Sequence, residues 1–415
     1  MIAESEHRRV RVLHVIQNLN YGGMERLLAD IVLRVDAERI ESHVLCLQYL
    51  GRFAEGLADV ATLHLADPLP RYSMLWPGPL VRQIRRIAPD VVHTHSGVWY
   101  KTSLAARAAG VPMLIHTEHG RAMPDPWRDR LVDGLASRRT NVTVAVSEAL
   151  RELLVRRRIA PANRIEVIRN GVDTELHAPH ADTGAVRREL GIEPSTPIIG
   201  SIGRLEPIKG YDVAVRAFAL LLRRWQGPKP ALILAGEGSE RAAVETLISE
   251  LGIGDAVHVL GWRNDVVDLL SCYDLFTMSS RSEGTSVSLL ESMSSGLCPV
   301  VTDVGGNSAV LGPELAHRLV PSEDPEGLAR AWEDALLNVD ERRRDSDAAR
   351  RRVQDRFSLD TMVDGYQTLY LRAATRGTAL PSRLRSRSRI VPDAAISTLS
   401  VAREKSLTAA RTTVR

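Results

Sequence analysis

Cysteine is scarce in this 415-residue chain: Cys46, Cys272 and Cys298 are odd in number and far apart. They form neither a disulfide framework nor a zinc spacing, which favours a reducing, cytoplasmic compartment. Long apolar runs are also missing. No stretch approaches the roughly 20 residues that a membrane-spanning helix requires, and the charged start lacks the apolar centre of a secretion signal. The dinucleotide fingerprint G-x-G-x-x-G is absent, and no acidic residue ends the strand expected at 44–47, so a dehydrogenase is poorly supported. Nor is there a large excess of charge. The formal net charge is +3; residues 376–415 hold nine Lys or Arg against two acidic groups, which leaves the remainder at −4. The body is no polycation, and nucleic acid is not an expected partner.

What is present is an ordinary apolar content of 44% and charged content of 25%, enough for about two cores with extensions. Short apolar runs alternate with amphipathic helical stretches twice over, the pattern of parallel α/β architecture. Strands are expected at 10–16, 44–47, 91–93, 113–116, 142–146 and 165–168, then at 197–202, 231–235, 257–260, 275–278 and 299–302. Helices are expected between them, among them 24–35, 102–109, 148–157 with Ser147 as N-cap, 212–223, 239–251, 266–272, 286–294 and 326–337. These describe two Rossmann-like, doubly wound parallel sheets facing each other across a cleft, with ligands at the strand carboxyl ends. The expected boundaries are a first domain at 1–177, a linker at 178–195 and a second domain at 196–358. A helix at 359–375 returns to the first domain, and a basic, disordered tail follows at 376–415.

The stretch from Arg281 to Glu291 is the most informative. It sets Glu283 and Glu291 eight positions apart around Gly284-Thr285-Ser286, at the start of an apolar helix. A helix start offers free N–H groups and partial positive charge to an anion, and carboxylates accept paired hydrogen bonds from a vicinal diol. Diphosphate in the middle with hydroxyls at both ends describes a nucleotide-sugar. Arg204 and Lys209, in the loop Gly203 to Gly210 after the first strand of the second half, supply cations for a diphosphate; a solvated basic loop is the plainer alternative. Gly22-Gly23 opens the first helix, and Gly236-Glu237-Gly238 and Gly305-Gly306 follow later strands, where glycine permits close ligand approach or simply makes a turn. His119 stands just past the strand at 113–116, and His93-Thr94-His95 ends the preceding one. Zinc on His93, His95, His116 and His119 is conceivable, but no helical H-x-x-x-H supports it, and no metal is expected. Asp345-Ser346-Asp347, the only D-x-D triplet, reads as a solvated helix face. Asn170-Gly171-Val172-Asp173 reads as a chain reversal. Arg82, Arg85, Arg86 and Arg156, Arg157, Arg158 form basic patches; a weak attraction to anionic membrane competes there with plain solvated helix ends.

Together these motifs resemble glycosyltransferase family 4, retaining enzymes of the GT-B fold. The resemblance covers residues 10–370 and rests on Gly22-Gly23-Met24-Glu25, His119-Gly120, Ser147-Glu148, Asn170 to Asp173, Gly203-Arg204 through Lys209-Gly210, Gly236 to Gly238, Glu283 through Glu291, Gly296 to Val301 and Gly305-Gly306. It implies that Arg204 and Lys209 hold the donor diphosphate, Glu283 contacts the transferred sugar and Glu291 binds the ribose diol. It further implies that His119 lies near the reacting carbon, that backbone at Gly284, Thr285 and Ser286 contacts sugar or phosphate, that Gly22 and Gly23 approach the phosphates from the other domain, and that Gly203, Gly236 and Arg263 line the nucleotide. No metal cofactor is implied. Partners would be a nucleoside diphosphate sugar and a glycan or lipid-linked acceptor of cell-surface polysaccharide or glycolipid synthesis, bound through loops such as 69–79 and 121–127. Thr285-Ser286 stands where an aromatic residue with Pro or Gly is frequent, and Cys298 where a small residue is usual, which bears on sugar identity. A nucleotide-sugar epimerase and a non-catalytic nucleotide-sugar-binding protein are the competing readings.

Overall fold

The computed structural model describes residues 8–20, 22–120 and 126–377. The described residues up to Gly377 form one compact unit. From residue 378 the basic tail lies outside the described residues, as do positions 121–125 of the loop expected to meet the acceptor.

The first half forms strands β1 (Val10–Asn18), β2 (Ile40–Tyr49), β3 (Thr62–Leu65), β4 (Val91–His95), β5 (Met113–Glu118), β6 (Val142–Ala145) and β7 (Ile165–Val167). The second forms β8 (Ile198–Ile202), β9 (Ala231–Ala235), β10 (Val257–Gly261), β11 (Leu275–Met278), β12 (Cys298–Thr302) and β13 (Leu319–Val320). All pairings between these strands are parallel, in the orders β3-β2-β1-β4-β5-β6-β7 and β10-β9-β8-β11-β12-β13. Parallel strands need helical crossovers that cover both faces, so their sequences run apolar throughout. β9, β11 and β12 are buried along their whole length.

Each sheet is sandwiched. On the second, Phe218 and Leu221 of helix Tyr211–Arg224 and Trp332 of helix Pro325–Leu337 fill one side. Leu289 and Met293 of helix Val287–Ser294, with Ala349 and Val353 of helix Val339–Arg356, fill the other. On the first sheet, helix Gly23–Arg34 packs against Val10, Val12 and Val91 together with helix Leu359–Gly377, which brings Met362, Tyr366 and Tyr370 from the far end of the chain. The return is fixed where Val172 pairs with Ser358. Full burial of each such side chain contributes about 1.5–3 kcal/mol.

Local signals explain the ends. Ser147 Oγ accepts the Leu150 N–H at 3.2 Å and starts helix Glu148–Arg156. Asp324 Oδ1 accepts the Gly327 N–H at 2.8 Å, with Pro325 opening the helix behind it. Proline also explains a helix missing from the sequence reading: Pro79 sits in the first turn of helix Gly78–Ile87, where its lost N–H costs no bond. The stretch expected to be linker contains helix Ala185–Leu190, whose Val186 is buried in the second core.

One expectation is overturned. Asp345 is not on a solvated face but 7% exposed, accepting from Arg318 Nε at 2.6 Å. Arg318 is itself 1% exposed and pairs also with Asp334 and Glu341. A buried guanidinium requires carboxylates around it, and the helix turns Asp345 inward with Ala348, Ala349 and Val353.

Candidate active site

The order of the second sheet reverses between β8 and β11, so the loops leaving these neighbouring strands at their carboxyl ends lie side by side. The β8 loop ends in a turn, Pro207–Lys209, and the β11 loop runs from Ser279 to Ser286. They are stitched together. Ser279 Oγ donates to the Gly210 carbonyl at 2.8 Å, and the Arg281 N–H donates to the Ile208 carbonyl at 2.8 Å. The Arg281 guanidinium donates to the Pro207 carbonyl at 2.6 Å and pairs with Asp212 and Glu323.

This packing delivers Lys209 to Glu283, with Nζ 2.6 Å from Oε1. Ser280 Oγ donates to the same oxygen at 2.6 Å. Both charged side chains are largely buried, at 19% and 9% exposure, so their mutual neutralisation matters more than at a surface. Ser286 caps helix Val287–Ser294, its Oγ accepting the Leu289 N–H at 3.4 Å; other first-turn amides have no partner inside the helix. Gly305, at φ +56°, lies under this loop, and a methyl there would overlap the Glu283 carbonyl. Gly203 and Gly236 abut at the ends of β8 and β9, where a methyl on Gly236 would overlap the Gly203 carbonyl.

The first domain meets this loop directly. A methyl on Gly284 would overlap the His119 carbonyl. Thr285 Oγ1 donates to the Val146 carbonyl at 3.0 Å, and Asn170 Nδ2 donates to the Thr285 carbonyl at 2.9 Å. Asn170 is therefore more than a chain reversal: it holds the Glu283 loop. Gly22 and Gly23 open their helix nearby, and a methyl on Gly23 would stand 3.2 Å from the Val287 side chain. Arg204 is exposed, and its charge reaches Glu25 of the first domain, whose carboxyl is raised mainly by burial while Arg204 pulls it down.

His119 is held by its neighbours. Its backbone N–H donates to Ser96 Oγ at 3.2 Å, Ser96 Oγ donates to Glu118 Oε1 at 2.9 Å, and its ring Nε2 lies 3.2 Å from His95 Nδ1. Burial lowers the imidazole to about 4, against the opposing pull of Glu118. His119 is neutral at working pH, suited to hydrogen bonding rather than to carrying charge.

Glu291 sits further along the helix that Ser286 caps, 14% exposed, with Oε1 3.6 Å from His177 Nε2. Burial raises its carboxyl to about 7; Arg26 pulls it down and Asp30 pushes it up. Burial likewise lowers His177 to about 4. Near neutrality the pair is therefore not a full ion pair. Arg263 is anchored elsewhere: its guanidinium bonds Asp265 at 2.6 Å and Glu189 Oε2 at 2.8 Å, tying helix Ala185–Leu190 to the sheet.

The histidines divide by strand alternation. His116 turns away from His93 and His95, bonding Thr94 Oγ1 at 2.9 Å and stacking on Trp99 at 3.7 Å between centroids. The four-histidine set considered from sequence is thus split. Sequence reasoning also missed Ser280, Asn170 and His177 as partners of the Glu283–Glu291 segment, because each contact joins loops whose proximity only the folded sheets create; Ser280, three residues from Glu283, carried the only local signal.

Two facing doubly wound sheets joined at a loop of this kind define a GT-B glycosyltransferase. Residues 21–176 match the profile of Glycosyltransferase Family 4, and residues 182–352 match that of Glycosyl transferases group 1. The chain belongs to glycosyltransferase family 4. It is 25% identical over 389 residues to the UDP-Gal:alpha-D-GlcNAc-diphosphoundecaprenol alpha-1,3-galactosyltransferase of Escherichia coli, covering 89% of this chain and 98% of that one. It is 29% identical to a D-inositol 3-phosphate glycosyltransferase of Saccharomonospora viridis, over 70% of this chain and 72% of the relative. Among solved structures, Anabaena HepE in complex with UDP and glucose superposes with a TM-score of 0.77 at 21% identity, covering 88% of this chain and all of HepE.

Proposed function

We propose that this glycosyltransferase moves a sugar from a nucleoside diphosphate donor to a glycan or lipid-linked acceptor, retaining anomeric configuration and using no metal on the diphosphate. The observation that carries the reading is the 2.6 Å approach of Lys209 to Glu283 at the switch point, directly against the His119–Gly120 turn of the other domain. In this reading Lys209 and Arg204 grip the diphosphate, and Glu283, freed of Lys209, accepts sugar hydroxyls. Glu291 takes the ribose diol, and neutral His119 hydrogen-bonds the sugar near the reacting carbon. Gly22, Gly23, Gly203 and Gly236 let backbone approach the nucleotide. The C1–oxygen bond to phosphate breaks as the acceptor oxygen bonds C1, and the acceptor proton passes to the departing phosphate. The protein's main contribution is stabilisation of that departing charge. The names of the relatives, a UDP-galactose-dependent enzyme acting on a diphosphoundecaprenol-linked sugar among them, support a nucleotide-sugar donor and a lipid-linked acceptor of envelope glycan synthesis.

The test is turnover of UDP-, GDP- and ADP-sugars with a diphospholipid-linked sugar, with product configuration read by NMR. Lys209→Ala should lower kcat about 100-fold or more, with circular dichroism and a cooperative melt showing that the variant is folded at the assay temperature. Wild-type turnover in that variant, or an inverted product, would refute the proposal.

Peripheral contact with the inner face of an anionic membrane belongs to the same reading. No described helix is long and apolar enough to cross a bilayer. Trp127, Leu131 and Val155 are exposed around a groove bordered by Arg130, Arg138, Arg157 and Arg158, and exposed apolar groups rimmed by arginine suit anionic lipid. Co-sedimentation with phosphatidylglycerol vesicles should fall severalfold in Trp127→Ala with Leu131→Ala; equal binding by that variant would remove this surface from consideration.

A further inference from the structure

Behind the candidate active site, the interior of the first sheet contains a group of side chains that glycosyl transfer does not use. His14 of β1 and His93 of β4 are directly opposed in the parallel register. His95 lies two residues further along β4, on the same face by alternation. All three are completely buried. Their ring centroids are separated by 5.3 Å for His14 and His93, 4.3 Å for His93 and His95, and 5.8 Å for His14 and His95. One ring nitrogen from each lies within 4.8 Å of one from each of the others.

The hydrogen bonds show which nitrogens are available. Among the described residues, neither nitrogen of His14 has a hydrogen-bond partner, and His95 Nε2 has none. A buried polar atom left without a partner costs about 1–3 kcal/mol, and a core that merely needed bulk would be more stable with leucine or phenylalanine at position 14. The other nitrogens are fixed. His95 Nδ1 lies 3.2 Å from His119 Nε2, and His93 bonds Tyr370 Oη at 2.7 Å through Nδ1 and Thr117 Oγ1 at 2.7 Å through Nε2. His95 has the arrangement of a metal-ligating histidine, one nitrogen open to an ion and the other oriented by a neighbouring group, while His14 has both nitrogens open and His93 has both engaged.

We infer that His14, His93 and His95 form a binding site for a divalent transition metal of the zinc class, set inside the first domain and separate from the donor diphosphate. Imidazole nitrogen is a ligand for zinc, cobalt and nickel alike. Zinc–nitrogen bonds of about 2.0–2.1 Å require the rings to close by roughly an ångström, with His93 giving up one of its two hydroxyl partners and keeping the other. Three nitrogens leave a fourth position for water. Ligation through His95 Nε2 commits its Nδ1–H to donate to His119 Nε2, which leaves His119 protonated at Nδ1. The metal thereby sets the tautomer of a residue at the cleft without touching substrate.

The inference is independent of the sugar and the acceptor, so its test needs neither. The untagged full chain is expressed in medium supplemented with zinc or cobalt, so that metal is present while the core forms. It is then dialysed into metal-free buffer for elemental analysis, with ligand-field spectroscopy of the cobalt form. About one equivalent per chain is expected, with a tetrahedral cobalt spectrum. His14→Phe, which fills the same space without a ligand, and His95→Gln should each retain less than a tenth of that metal while their circular dichroism and cooperative melting show a folded chain. Metal-free wild type after both growths would overturn the inference. So would folded variants that retain the full equivalent. If one variant fails to fold, the other decides.

Discussion

The two sheets share a winding pattern and differ in where they keep their polar groups. At the cleft the second carries its charges on loops: Arg204, Lys209 and Glu283 all lie beyond β8 and β11. The first buries its polar groups within the strands themselves, with His14, His93, Thr94, His95, His116, Thr117 and Glu118 all inside, and offers the cleft mainly backbone carbonyls and neutral imidazoles. A charged donor has to be met by groups that can move and desolvate on binding, and loops supply these. In the proposed reading, an acceptor hydroxyl would need shape and hydrogen bonds, and a rigid sheet would supply those. The division of labour follows from where each half can tolerate charge.

The point of contact between the halves is the place to break this comparison. Gly284→Ala sets a methyl into the His119 carbonyl, and neither backbone can give way easily. The loop should shift by an ångström or so and kcat/KM should fall about 100-fold, measured with saturating acceptor; an unchanged rate would mean that the halves separate during turnover.

Glu291 sharpens the comparison, because it is the one carboxylate of the Glu283–Glu291 pair treated like a first-sheet group. Its folded pKa of about 7 exceeds the ordinary 4.5, so the folded protein binds more protons than the unfolded one between those values. Stability therefore falls as pH rises from 4.5 through 7, by on the order of 1–3 kcal/mol. Glu291→Gln should melt higher than wild type at pH 8 and equally at pH 4.5. The same variant should bind donor about tenfold more weakly, and wild-type donor affinity should decline as pH drops below about 7. A pH-independent wild-type donor affinity would count against a diol-binding carboxylate.

The smallest effect is expected from a neutral group. Asn170→Ala leaves the buried Thr285 carbonyl without its donor. It should cost about 1–3 kcal/mol in melting experiments and slow transfer only severalfold. A larger kinetic than thermodynamic loss would place Asn170 in direct contact with substrate.

The strands were legible because fully buried parallel strands are nearly uninterrupted apolar runs. β3 was not: Thr62–Leu65 is an edge strand with two exposed and two half-buried residues. β13 is only two residues long. Helix Gly78–Ile87 hid behind Pro77 and Pro79, which look like loop and in fact start the helix. At the site, Glu283, Gly284 and Glu291 could be picked out because helix start, glycine and carboxylates are close in sequence. The ties of Asn170 to Thr285 and of His177 to Glu291 span 115 and 114 positions, and no local pattern encodes them. His14 was read only as part of a strand; its register opposite His93 needed the sheet order.

The return of helix Leu359–Gly377 to the first sheet has a consequence for biosynthesis. Leu359, Met362, Val363, Tyr366, Leu369, Tyr370 and Ala373 cover Val10, Val12 and Val91, so β1 and β4 wait until the whole second half has left the ribosome. During that interval the nascent amino-terminal half, covered on this side by helix Gly23–Arg34 alone, presents a partly open oily face, while the carboxyl-terminal half already has its own covering helices. The growing chain is thus most in need of a chaperone at its oldest end.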